Sequence, residues 1–493
     1  MPMSSFQPES APPKSATDSA APPNLIQFML KHWLPMPRAT QPLIHADYHR
    51  QRRNALGRLF PGEILVIPTG ERKLRAGDQF YPFRAGSDFF YLTGCHEPDC
   101  VLLLVPQGRR PHKSILFMEP NPGKTDATFF TDRLKGELWE GPRPGLGEAK
   151  TLTGVDLCMP LPALATYLHQ EAHKSGARIL RGQSAATEAM LPRPTAAPGA
   201  NDLELSHALA EMRLCKDDAE LAEMAAVVKA TKRGFEDVIR ALKTAKSERE
   251  LETTFWTRAR QEGNDVGYGT IAAAGSHACT LHWHKNDGAL RKRDLLLLDA
   301  GIEGHNLYTA DITRTLPISG KFSHNQRLVY ELVLRAHNAA LKMVRPGADF
   351  MAPNQAAMVV LTDGLVELGV LKVSAAEALK PENQFYKRYT LHNISHMLGL
   401  DVHDCAQARQ ETYKFGKLRP GMVLTIEPGV YFQPDDLTVP PQLRGIGVRI
   451  EDDIVVTEDG YRNLSASIPT TPAAIEAWMQ KIWLRTERST RQD

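Results

Sequence analysis

Four acidic residues stand at the ends of apolar, strand-like runs in the C-terminal half of this chain, and that placement constrains the fold more than any other feature. Asp299 closes the run Leu295 to Leu298 and is followed by Ala300-Gly301. A carboxylate in such a setting needs a cation or hydrogen bonds to stay ionised. Asp311 follows across a turn signal at Glu303-Gly304, so a hairpin sets the two acids side by side. Adjacent carboxylates repel, and one stays protonated unless a metal neutralises them. Glu427 ends the run in LTIEPG, and Glu451 lies in IGVRIEDD. In the latter, alternation puts Ile446, Val448 and Ile450 on one strand face and Arg449 and Glu451 on the other. A single acid of this kind is ordinarily a cap or an ion-pair partner; four in one half of a chain point to a cation site. Oxygen-rich donors with few nitrogens suit manganese, cobalt or zinc.

The elements around these acids repeat. Leu221, Met224, Ala225, Val228, Phe235, Val238 and Leu242 mark the buried face of one helix. Ser247 with Glu250 opens a second, which ends near Gly263. Strand-like TIAAAG, LLLLDAG and DITRTLPI follow. The order then recurs: Ser323 with Gln326 opens a helix stopped by Pro346-Gly347, another runs to about Leu371, and VLTIEPGVYF and GIGVRIEDDIVVT read as strands. Two helix-helix-strands units imply a duplicated α+β domain.

Upstream, ILVIP, DFFYLTG, CVLLLVP and SILFME read as strands of a mixed α/β domain. Prolines and turn residues between Leu191 and Asp202 mark the boundary, giving a disordered tail over 1–37, an N-terminal domain over 38–203 and a catalytic domain over 204–493. A length of 493 residues already demands more than one core. With 59 Lys plus Arg against 57 Asp plus Glu, charge gives no reason to expect nucleic acid or a membrane surface as partner. The six cysteines form no C-x-x-C pair, which disfavours a disulfide framework and a thiolate site and suits a reduced, cytoplasmic setting. The tail lacks the pattern of a secretion signal, and Glu9 and Asp18 disfavour a transit peptide.

Histidines complete the inventory. HNISHMLGLDVHD carries His392, His396 and His403, and His282 lies in TLHWH just before the Leu295 run. The His392/His396 spacing resembles a helical zinc pair, but the Glu of H-E-x-x-H is missing, which removes a zincin reading.

The ordered set LLDAG, YTADITRT, HNISHMLGLDVHD, TIEPGVYF and GIGVRIEDDIVVT resembles the signature series of aminopeptidase P, among the metallopeptidases of creatinase-like, "pita-bread" fold. The likeness runs from YPFRAGSDFFYLTG at Tyr81 to about Leu464. It implies an α+β pita-bread catalytic domain behind an N-terminal mixed α/β domain. It also implies two divalent ions, manganese first with cobalt or zinc as alternatives, held by Asp299, Asp311, His396, Glu427 and Glu451. Asp311 and Glu451 bridge in that scheme, Asp299 completes one ion's shell, and His396 and Glu427 the other's. An activated hydroxide between the ions attacks the peptide bond before proline. His282 and His403 match the family's two catalytic-site histidines. His282 steadies the developing oxyanion, Glu427 moves a proton, and His403, Arg449 and Tyr268 line the proline pocket. Arg449 and Tyr268 match positions on the substrate side and behind the ligands. Asp88 and Trp139 enter as N-terminal substrate contacts, and the family implies a homo-oligomer, dimer or tetramer. Three features depart from the family pattern: Asn393 where glycine is frequent, a longer segment between Val373 and Tyr389, and the N-terminal tail.

The implied activity is release of the N-terminal residue from peptides with proline second. Prolidase, which takes only Xaa-Pro dipeptides, shares the five ligands and the histidine pair; YPFRAGSDFFYLTG and LWEGPRPG tilt the reading toward the aminopeptidase. A non-catalytic creatinase-fold protein is disfavoured by the intact ligand set, and methionine aminopeptidase by chain length.

Overall fold

The computed structural model describes residues 21–34, 40–172, 175–191 and 200–489. The chain divides into two units, 1–209 and 210–493, so the division falls a few residues beyond the expected 203/204. Part of the expected disordered tail lies outside the described residues, but Pro23–Met29 is a helix with proline at its first position, where a missing N–H costs nothing. Trp33 beyond it packs edge-on against Phe129, with ring centroids 5.4 Å apart.

The N-terminal unit is built on a five-stranded mixed sheet. Its order is Leu157–Pro160, Arg110–Met118, Val101–Gln107, Ile64–Pro68 and Ala177–Ile179. Three of the four runs expected as strands are strands. The fourth is not: DFFYLTG forms the helix Ser87–Thr93. Phe89 to Leu92 are all buried, so the run carries no periodicity to separate the two forms. Gly94 closes the helix in the left-handed conformation at φ 66°, and its N–H reaches Phe90 O.

The C-terminal unit follows the expected repeat. Asp218–Ala241 begins in a capping box between Asp217 and Glu220 and packs along Glu248–Glu262, whose N-cap is Ser247. Phe235 and Phe255 meet edge to face between them, 6.0 Å apart. Next comes an antiparallel sheet in the order Ile312–Pro317, Leu295–Ala300, Ile271–Ala274. His324–Leu341, capped by Ser323 and Gln326, and Ala352–Glu367 form the second helix pair. The strands that follow are shorter than expected. TIEPGVYF splits into Val423–Ile426 and Gly429–Tyr431, and GVRIEDDIVV into Gly447–Arg449 and Asp452–Val456. Glu427 and Glu451 occupy the two breaks, where the backbone leaves one ladder for another.

One of the places that join the two halves of this unit lies at Thr313 and Arg314. Glu451 N donates to Thr313 O at 3.1 Å. The Arg314 side chain, fully buried, donates to Glu451 O and Asp452 Oδ1, both at 2.6 Å, and to Ile468 O and Pro469 O. Among the described residues no helix is long and apolar enough to cross a membrane. All six cysteines are unpaired.

Candidate metal centre

The hairpin from Leu295 to Pro317 sets the geometry. Register pairs Asp299 with Thr313 and Ala300 with Ile312. Asp311 precedes Ile312, and the period of two puts it on the same face as Thr313, hence beside Asp299. The backbone passes so closely here that a Cβ on Gly301 would lie 1.7 Å from Ala310 O; only glycine fits. Asp299 and Asp311 are both buried, as expected of an acid closing an apolar run.

Glu451 joins them from the second half. Its Oε2 accepts from Thr313 Oγ1 at 2.7 Å, and the residue is 1% exposed. His396 enters from a stretch that is not helical, so the zinc-helix spacing of His392 and His396 has no helix beneath it. Met397 pairs with Leu424 in an isolated bridge, which fixes the segment against the Val423 strand. The His396 Nε2 atom lies 3.3 Å from Asp311 Oδ2 and 3.5 Å from Glu427 Oε1. Single ligand atoms from Asp311, His396 and Glu451 all lie within 4.8 Å of one another.

The electrostatics call for positive charge. Burial, reinforced by the charges of Asp311, Glu427 and Asp299, pushes the Glu451 carboxyl well above the usual range. Burial raises Asp299 against the opposing pull of Arg449. Burial likewise raises Glu427 to about 7, though His396 and Arg449 oppose it. For His396, burial disfavours the charged ring, but the hydrogen bond to Asp311 and the Glu427 carboxylate outweigh it and raise it to about 9. Its Nδ1 faces Met397 O at 3.1 Å, so the neutral ring donates there and leaves a lone pair on Nε2. That lone pair would face two carboxylate oxygens, an arrangement that is repulsive unless a proton or a cation lies between them. The donor set therefore fits divalent metal.

Tyr268 and Arg449, expected on the substrate side and behind a ligand, both bind Asp299 here. The Tyr268 hydroxyl donates to Oδ1 at 2.6 Å and Arg449 Nη2 to Oδ2. Arg449 is 3% exposed and also donates to Thr313 Oγ1 at 3.1 Å and to the Tyr431 hydroxyl at 2.9 Å. The physical reason is charge: a buried guanidinium settles on the nearest buried carboxylate. The His403 ring stands edge-on to His396, 4.5 Å between centroids, and is exposed. His282 is exposed; burial depresses His392 and His403, with Arg449 adding to it at His392 and His396 at His403. Asp88, on the Ser87–Thr93 helix, and Trp139, half exposed with its indole donating to Phe130 O at 2.7 Å, belong to the N-terminal unit.

Three further residues serve the site without having been singled out. Thr313 links Glu451 to Arg449; the alternation Asp311, Thr313, Thr315 in DITRTLPI was the available signal. Tyr431 accepts from Arg449 and sits 2.8 Å from His392 Nε2. Asp453 accepts the Asp311 N–H at 3.2 Å. Nothing local in the sequence marks the last two.

A family model described as metallopeptidase family M24 matches residues 222–458, and one described as the aminopeptidase P N-terminal domain matches 48–180. Xaa-Pro aminopeptidase 1 of Streptomyces coelicolor is 48% identical over 89% of this chain and 88% of its own length. Xaa-Pro aminopeptidase of Escherichia coli is 33% identical over 88% of this chain and 97% of its own. Among solved structures, aminopeptidase P of E. coli with the inhibitor Pro-Leu superposes with a TM-score of 0.78 at 32% identity, covering 89% of this chain and 99% of that one.

Proposed function

Because the chain belongs to the aminopeptidase P family of M24 metallopeptidases, with a pita-bread catalytic domain, it is a metallo-aminopeptidase, and we propose that its carboxylate cluster cleaves the bond before a penultimate proline. The observation that carries this reading is the His396 Nε2 atom turned toward Asp311 and Glu427. We assign Asp299, Asp311, His396, Glu427 and Glu451 as the residues that would hold two divalent cations. Bound cations supply Lewis acidity toward a water and toward the scissile carbonyl.

The chain's own residues do the rest. A substrate's free amine offers a nitrogen lone pair that an internal peptide bond does not; that favours exopeptidase action. His282 donates to the carbonyl oxygen as negative charge develops on it. Glu427 Oε2, 3.6 Å from His392 Nδ1, carries a proton toward the leaving nitrogen. Tyr268 and Arg449 hold Asp299 in place, with Arg449 on the substrate side of that contact. The leaving nitrogen of proline brings no N–H, so its pocket must hold a ring by shape, and His403 is our candidate wall. Asp88 and Trp139 are the N-terminal candidates for substrate contact.

Manganese is our first assignment for the metal, with cobalt or zinc as alternatives, because four of the five donors are carboxylates. A cytoplasmic setting is supported by six unpaired cysteines. Homo-oligomerisation is proposed on family likeness alone. The activity is tested by comparing Xaa-Pro dipeptides with Xaa-Pro-Yaa tripeptides and longer peptides. Cleavage of the longer substrates is expected; turnover restricted to dipeptides would make the chain a prolidase instead.

A further inference from the structure

Glu248 is the first residue of the helix Glu248–Glu262, and its carboxylate is fully buried. It gathers four donors from one loop. Oε1 accepts from Ala274 N at 2.7 Å and from His277 Nδ1 at 2.8 Å. Oε2 accepts from Trp283 Nε1 at 2.8 Å and from Gly288 N at 2.7 Å. The Glu248 N–H in turn donates to Gly288 O at 2.9 Å. Both oxygens are thus used twice, which only a carboxylate can do.

These donors span the segment that leaves the strand Ile271–Ala274 and returns to Leu295–Ala300. His277 and Trp283 stack on one another inside it, 4.0 Å between centroids. Gly288 is required by the approach: a Cβ there would lie 2.6 Å from His277 Nδ1 and 2.8 Å from the Glu248 carboxyl carbon. A second fastening lies beside the first, where the buried Asn286 accepts from Ala272 N at 2.9 Å and donates to Thr270 O at 2.8 Å. His282 sits between these anchors. Its ring is exposed and stacks only loosely on His284, 5.7 Å away, so its placement is inherited from the loop.

We infer that Glu248 is a positioning residue for the reaction: by gripping Trp283, His277 and Gly288 it fixes where His282 meets the scissile carbonyl. The inference rests on the role proposed above for His282. A hydrogen-bond donor to a developing oxyanion acts only when held close to its productive position, and a small displacement costs rate rather than binding. Glu248→Gln sets an amide NH2 against one pair of these N–H donors whichever way it is turned, and so frees one side of the loop.

The test uses the full-length, metal-loaded enzyme and an Xaa-Pro-Yaa tripeptide. Glu248→Gln is expected to lower kcat by about 10- to 100-fold, with KM within about two-fold and metal content retained, while the thermal midpoint falls because buried N–H donors lose their acceptor. In a His282→Ala background the same change should lower kcat/KM by less than about two-fold, because the two residues act as one unit. An equal fold-loss in both backgrounds, or no loss in either, would overturn the inference alone. His282→Ala turning over at the wild-type rate would overturn the reading of His282 and the inference with it. If Glu248→Gln fails to fold, Trp283→Phe removes one donor and keeps the stack. Its smaller loss, about three- to ten-fold, should likewise vanish without His282, and a loss that persists there refutes the idea.

Discussion

The Thr313 hydroxyl donates to Glu451 Oε2 at 2.7 Å, joining a strand of the first repeat to the break between two strands of the second. Thr313 also takes the Arg449 Nε–H at 3.1 Å, so one small side chain orients a metal-ligand candidate and the guanidinium beside Asp299. Thr313→Val keeps the shape and removes both bonds. Outer-sphere partners of this kind typically contribute 10- to 100-fold in metal affinity. Titration of the apo-protein with manganese should show about that loss, with activity recovered at high metal concentration; unchanged affinity would argue that Glu451 is held by other means.

Glu427→Ala and Asp311→Ala are each expected to abolish turnover while the chain stays folded. The two residues flank His396 Nε2 at 3.5 and 3.3 Å, so either change removes a ligand from the middle of the cluster. The measurement is tripeptide hydrolysis with metal content determined on the same sample. Near-normal rates in either variant would remove the mechanism.

Metal removal should be felt as stability as well as activity. Without cations, Asp299, Asp311, Glu427 and Glu451 crowd one buried site, and burial together with mutual repulsion raises three of them above the usual carboxylate range. Chelation should lower the thermal midpoint of the C-terminal unit, and re-addition at about 100 times the dissociation constant should return roughly 3 kcal/mol. A midpoint indifferent to metal would contradict a di-cation site.

Asp404 offers a separate test at a residue that is not itself a metal-ligand candidate. It is buried and accepts from Arg213 Nη2 at 2.7 Å and from Lys216 Nζ at 3.0 Å. Burial opposes its charge, but Arg213 and Lys216 outweigh that and hold the carboxyl down to about 2, against an ordinary 3.8. A depressed carboxyl contributes stability that is whole above about pH 4 and is lost as pH falls through 2. The difference is roughly 2 kcal/mol. Asp404→Asn takes the carboxylate from the buried Lys216 and leaves Arg213 its bond to Asp401 at 2.9 Å, and should cost about 3 kcal/mol at neutral pH. The gap between wild type and variant, read from thermal midpoints, should narrow between pH 4 and pH 2; a constant gap would rule out the linkage.

Much of the molecule was legible before its shape was known, and particular residues show why. Ser247 and Ser323 announce helices because a cap is a contact within one turn. Asp299 declares itself because an acid closing four leucines has few ways to stay charged. The segment Phe89–Leu92 was misread as a strand, since an apolar run buried on every side has no period to betray its conformation. Arg449 and Tyr268 are expected from the family likeness on the substrate side and behind a ligand; that the ligand both hold is Asp299 comes from the packing.

By itself the sequence determined the chemical inventory, the helix starts, the strand runs and the hairpin that pairs two acids, all of which depend on neighbours within a few residues or across one turn. The tertiary structure alone decided that Thr313 would meet Glu451, that Tyr431 would stand between Arg449 and His392, and that Glu248 would close on a loop ending 40 residues later. Such contacts depend on how whole elements pack, and a hydroxyl or carboxylate carries no mark in its local sequence of the partner it will find across the core.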